Sequence, residues 1–258
     1  MFGMIKQVLR IMKWKELGME YGKCSMCGKT LFVKLCNNDI SAIRCVRCRA
    51  SVTSMAIASV LKKLVANWED KKIYELSSRG PFFSFLHKRA SHLTYSEYFD
   101  DIPPGAYKET VQCQDIQGLT YGDESFDLCT CTEVFEHVPD DLKGFREIYR
   151  VLKPGGQFLF TVPLSDRRET VERVRLNEGK LIYLEEPEYH DDNIRGVGSV
   201  LCYRNYGLDI VDRLSDADFE ETEIILVKAP TRWGYNRRVM AARKSSTHIK
   251  SQIKVPEL

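Results

Sequence analysis

Four cysteines stand in two matched pairs, Cys24-Ser25-Met26-Cys27 and Cys45-Val46-Arg47-Cys48, separated by seventeen residues. Each CxxC turn points both sulfurs to one side, so two such pairs can close a tetrahedral four-cysteine site for a structural zinc ion. A redox pair is the alternative, but two matched units call for one metal. Gly28 suits the tight knuckle, and Thr30–Leu35 and Ala42–Arg44 are expected to pair as short strands of a zinc ribbon. Cys36 has no partner by spacing and reads as a core thiol. A module this small needs the metal to fold.

A second constellation is Glu133, Glu136 and His137, spaced i, i+3, i+4, which shares one face if the segment is helical. Two carboxylates and one imidazole suit magnesium or manganese, an ion able to lower the pKa of an acceptor hydroxyl. The plainer alternative is a histidine that acts without metal. His137 is the first candidate general base, because an unperturbed imidazole titrates near neutral pH.

These residues must be positioned by strands and a helix. Val111–Gln114 ends in Asp115, Phe126–Thr132 ends in Glu133, and Gln157–Pro163 follows a Lys-Pro-Gly-Gly break. Between the last two, Leu142, Phe145, Ile148, Tyr149 and Leu152 fall at helical spacing with charged residues opposite. Short apolar strands alternating with an amphipathic helix predict a parallel sheet. Lys71–Leu76 and His92–Glu97 read as two earlier strands. Ser51–Trp68 reads as a joining helix, and Glu223–Val227 and Arg238–Arg243 as a closing antiparallel pair.

The run Asp127-Leu128 through Glu133-Val134-Phe135-Glu136-His137-Val138, then Arg150-Val151-Leu152-Lys153-Pro154-Gly155-Gly156, resembles the central motifs of class I S-adenosylmethionine-dependent methyltransferases, of the type 11-like kind. The resemblance extends loosely over residues 71–244. It implies a Rossmann-like α/β fold with a seven-stranded sheet, here with a small N-terminal zinc ribbon or knuckle, and S-adenosyl-L-methionine as cofactor. By that resemblance Glu75 and Gly80 belong to the cofactor turn, Glu97 to the ribose hydroxyls, Asp115 to the adenine amino group, Ile116 to the ring, and Glu133 to the same site. Ser77 and Arg79 stand where the family has glycines. Ser77 fits if the turn has a different shape and its hydroxyl supplies a hydrogen bond. A similar Glu-x-x-Glu-His arrangement binds a divalent ion in some relatives.

Residues 164–205 read as a substrate-side insertion with little sheet character, containing a helix over Glu169–Asn177. Tyr206–Leu214 reads as a further helix. Tyr189 and Arg195 are the candidate substrate contacts and His190 the second candidate base. The expected reaction is methyl transfer to oxygen or nitrogen of a small molecule or sugar. An RNA methyltransferase and a non-catalytic binding protein are the alternatives.

Composition bounds these readings. Lys and Arg total 38 against 36 Asp and Glu, so no global charge calls for a polyanion. No apolar run is long enough to span a bilayer, and the basic start lacks a signal-peptide cleavage site, so the expected location is cytoplasmic. Residues 1–20 form an expected basic amphipathic helix, for docking, dimer contact or a membrane surface. The expected divisions are then a zinc module over 21–50, a linking helix over 51–70, the catalytic domain over 71–244 and a mobile tail over 245–258.

Overall fold

The computed structural model describes residues 17–35, 42–192, 198–228, 230–233 and 236–246. Most of the expected N-terminal helix (residues 1–16), Cys36, Arg195 and nearly all of the tail lie outside them.

The first three strands are β1 (Gly18–Cys24), β2 (Gly28–Lys34) and β3 (Ile43–Cys45), an antiparallel sheet that begins before the expected boundary at residue 21. The predicted ribbon pairing holds, with Phe32 opposite Cys45 and Lys34 opposite Ile43. Helix α1 (Val52–Leu64) follows, its first turn capped by the Ser51 hydroxyl accepting from Ser54 N.

The main sheet contains β4 (Lys72–Glu75), β5 (His92–Glu97), β6 (Tyr107–Lys108), β7 (Val111–Cys113), β8 (Phe126–Thr132), β9 (Leu152–Thr161), β16 (Glu221–Val227) and β17 (Arg237–Arg243). Its order is β16-β17-β9-β8-β4-β5-β7-β6. The strands from β9 through β7 run parallel, β17 is antiparallel to both neighbours, and β6 adds an antiparallel edge that makes eight strands instead of seven. Helix α2 (Gly80–His87) follows β4, and α3 (Asp141–Val151) links β8 to β9. Asp140 caps α3 by accepting from Lys143 N at 3.0 Å. Strand order reverses at β4, so the crevice for a ligand opens at the carboxyl ends of β4 and β8.

Strand alternation divides the core. Phe158 and Phe160 of β9 face α3, whereas Leu159 faces α1 and the cysteine module.

The insertion departs from expectation. Residues 164–205 form β10 (Val171–Glu172), β11 (Val174–Asn177), β12 (Lys180–Tyr183), β13 (Glu188–Asp192), β14 (Gly198–Cys202) and β15 (Arg204–Asn205), so the helix expected over Glu169–Asn177 is replaced by strands. The physical reason is the turn Glu178-Gly179. Both residues have positive φ, 48° and 76°, which is the two-residue hairpin that pairs β11 with β12. The helix expected from Tyr206 is also shorter: α4 spans Ile210–Ser215, because Tyr206 is held in a bridge to Leu164.

Candidate active site

The carboxyl edge of the sheet carries the predicted residues. After β4, Ser77, Ser78 and Arg79 keep negative φ, and only Gly80 turns left-handed, at 88°. The strain that Cβ atoms would meet in a glycine-type turn is therefore absent. The Ser77 hydroxyl does supply a hydrogen bond, to Glu97. Oε1 of Glu97 accepts from Ser78 N at 2.9 Å, Ser78 Oγ at 3.1 Å and Ser77 Oγ at 3.3 Å. Its other oxygen takes no hydrogen bond among the described residues, so it can still accept from a ligand hydroxyl. This donor set fits a ribose-bearing cofactor.

Glu75 lies beneath, 1% exposed, accepting from the Thr130 hydroxyl. Burial, with a smaller contribution from Glu97, pushes it up to about 8. Its hydrogen bond ties β4 to β8 inside the core. Asp115 lies two residues beyond β7, half-buried, accepting from Gln117 N at 2.9 Å. Ile116 joins the core under α3.

Beyond β8 the chain turns through Glu133, whose φ is 55°, into a short 3-10 turn, Phe135–His137. Here the structure collects one acid and two imidazoles. Nε2 of His137 lies 3.8 Å from Glu136 Oε1, and Nδ1 of His190 lies 3.9 Å from the same atom. The two rings meet edge to face, 5.1 Å between centroids. Ligand atoms of Glu136, His137 and His190 all fall within 4.8 Å of one another. Glu133 stands nearby, its carboxyl raised by burial and pulled down by Arg237 and His190.

The outward nitrogens are held. His137 Nδ1 donates to Leu201 O at 2.8 Å, and His190 Nε2 faces Glu188 Oε1 at 3.1 Å. Because a carbonyl only accepts, the neutral His137 carries its proton on Nδ1, with Nε2 turned toward Glu136. Glu188 does the same for His190 Nδ1, and it is itself fixed by Arg173 and Asn205. Metal-ligating histidines are oriented in this way. Glu136 is 1% exposed, and neither of its oxygens has a hydrogen-bond partner. Burial, then the Glu133 charge, raises its carboxyl well above the ordinary range. An unpartnered buried carboxyl is costly unless it binds a proton or a cation.

Tyr189 is 53% exposed on β13. Sequence spacing found Glu136 and His137 but had no means of pairing them with His190, fifty-three residues on.

In the N-terminal module the four cysteine sulfurs also lie within 4.8 Å of one another, Cys24 to Cys48 at 3.6 Å and Cys27 to Cys45 at 3.5 Å. A tetrahedron of thiolates about 2.3 Å from a metal has edges of about 3.8 Å, so the cluster fits one tetrahedral ion.

Strand order, the antiparallel β17 and the Ser77–Gly80 turn after β4 define a class I methyltransferase-type α/β fold. Residues 77–160 match the family described as "Methyltransferase domain". A ubiquinone biosynthesis O-methyltransferase of Coxiella burnetii is 44% identical over 50 residues, which is 19% of this chain and 21% of that protein. The enzyme of the same name from Pseudomonas putida is 53% identical over 38 residues, 15% of this chain and 16% of its own length. The chain thus spans about a fifth of the curated relatives it matches. A solved S-adenosylmethionine-dependent methyltransferase from Mesorhizobium loti aligns over 73% of this chain and 98% of its own at 18% identity, with a TM-score of 0.47. Among the described residues no helix is long and apolar enough to cross a membrane.

Proposed function

We propose that the protein is an S-adenosylmethionine-dependent methyltransferase that methylates a hydroxyl oxygen of its acceptor, with Glu136, His137 and His190 as a divalent-ion site. The observation that carries this reading is the buried Glu136 carboxyl, without a hydrogen-bond partner and flanked by two imidazoles at the carboxyl edge. The ubiquinone-type relatives are O-methyltransferases by name, which supports oxygen over nitrogen.

In this reading Glu97 accepts from the ribose hydroxyls, Asp115 faces the adenine, and Ser77 to Gly80 carry the methionine end. The chain's own work is orientation and exclusion of water, since a sulfonium leaving as a neutral thioether needs no acid. A divalent ion at Glu136 would supply positive charge that makes an acceptor hydroxyl easier to deprotonate. The second imidazole moves the preference from magnesium toward manganese or a similar transition ion. His137 and His190 turn their imidazoles inward, and Tyr189 lies at the rim for acceptor contact. The cysteine cluster is read as a structural zinc site.

The test is calorimetry and methyl transfer with hydroxylated acceptors, with and without manganese. Glu136→Gln should abolish ion binding and reduce turnover by at least a hundredfold, while affinity for S-adenosylmethionine stays within twofold. An unchanged rate in Glu136→Gln with ion-free protein would sink the metal site. Absence of any cofactor binding would sink the methyltransferase reading itself.

A further inference from the structure

Between the cysteine knuckle, one face of α1 and the ends of β16 and β17 runs a groove of about 480 Å³, the size of a small-ligand site. Its charged lining is Lys23, Lys62, Lys228 and Arg237, and among the described residues no carboxylate borders it. Like charges around one concavity repel unless an anion lies among them. Part of that anion is internal, because four thiolates on one divalent ion carry about two net negative charges and Cys24 is in the wall. Arg237 acts on the Glu133 carboxyl, so the excess is centred on Lys228, with Arg237 shared between the groove and Glu133.

Two further observations connect this excess to the candidate active site. Arg237 Nε is buried with no hydrogen-bond partner, and buried donors are nearly always paired. The Arg237 charge acts on the carboxyl of Glu133, which leaves β8 just beyond the Thr132–Thr161 rung. The groove and the Glu136 cluster thus share the carboxyl edge of the sheet. The chain's own first residues are a poor occupant, since Lys6, Arg10, Lys13 and Lys15 have the sign of the lining.

We propose that this groove is an anion subsite for the methyl acceptor, taking a phosphate group of a phosphorylated small molecule on Lys23, Lys62, Lys228 and Arg237. Lysines serve as point charges and Arg237 as a planar donor, a combination suited to phosphate oxygens. The acceptor would then lie along the edge with a hydroxyl at the Glu136 cluster. This inference rests on the methyltransferase reading above.

Zinc-loaded, full-length protein would be titrated with inorganic phosphate and with glucose 1-phosphate, and the same preparation with S-adenosylmethionine. The expected result is binding of both phosphate probes, weakened at least tenfold in Lys228→Glu, with zinc content and cofactor affinity unchanged. A preparation that binds cofactor but neither probe overturns the proposal, as does probe binding indifferent to Lys228→Glu. Probe binding without cofactor binding overturns the acceptor role and, separately, the methyltransferase reading. A single-stranded oligonucleotide that binds through Lys228 more tightly than either probe, with a steep salt dependence, assigns the groove to nucleic acid instead.

Discussion

Glu75 and Glu136 are both buried carboxyls, but their surroundings give them different work. Glu75 has a hydroxyl partner and a folded-state pKa of about 8 against an ordinary 4.5. Because that pKa is raised, the folded chain holds a proton the unfolded chain has lost. The contribution is complete below about pH 4.5 and disappears as pH climbs through about 8. At about 1.4 kcal/mol per pK unit, several kcal/mol are involved. Urea midpoints should therefore fall between about pH 5 and 8, and Glu75→Gln, which keeps the Thr130 hydrogen bond, should flatten that fall. A wild-type midpoint that rises over the same interval would contradict the assignment. Glu97 differs again: among the described residues only one of its oxygens takes hydrogen bonds, and in the proposed function the other accepts from the cofactor. Glu97→Ala should weaken cofactor binding at least tenfold by calorimetry, and it should also loosen the Ser77–Ser78 turn.

At the scale of elements, the insertion holds the site. Arg204, 3% exposed on β15, donates to Val138 O at 2.6 Å, Pro139 O at 2.7 Å and Phe135 O at 3.3 Å. Those carbonyls bracket the turn that presents Glu136 and His137. The same guanidinium pairs with Glu172, and Arg213 joins Glu172 to Asp141. Tyr203 N donates to Glu136 O at 2.7 Å, so β14 and β15 fix the turn on both sides. Lysine has the charge of arginine, but its three donors sit on one nitrogen instead of being spread over a planar fork, so it cannot reach the three carbonyls and Glu172 together. Arg204→Lys should reduce manganese affinity at least tenfold and lower Tm by several degrees while cofactor affinity holds. Loss of cofactor and metal binding in equal measure would point to general unfolding instead.

At the scale of the molecule, the cysteine module is not an independent appendage. Cys24, Met26, Phe32, Ile43 and Cys45 share one apolar cluster with α1 and with Ile73, Leu128, Leu159 and Val239 of the main sheet. Stripping an ion from the proposed cysteine site should thus weaken a whole face of the sheet. A strong chelator, or Cys45→Ser, is expected to lower the thermal midpoint of the entire domain in a single transition. Two separate transitions, with the upper one unmoved, would show the module to be separable.

The parallel strands and α3 were readable from sequence because buried strands are continuous apolar runs and a crossover helix has its own period. Phe126–Thr132 and His92–Glu97 agree residue for residue. The cysteine pairs were readable for a similar local reason: four like ligands at fixed spacing leave few alternatives. The insertion was not, because its strands are short, two-sided and stabilised by partners, so Glu169–Asn177 carried no period strong enough to exclude a helix. His190 joined His137 only when β13 and β14 paired and brought Leu201 O and Glu188 to the outer nitrogens. What the sequence determined alone is what local chemistry determines: the parallel strands, the crossover helix, the grouping of the four cysteines and the acids at strand ends. What tertiary structure decided is the company those groups keep, because hydrogen-bond partners and burial, which set the charge state of Glu136 and the imidazoles facing it, come from residues distant in the chain.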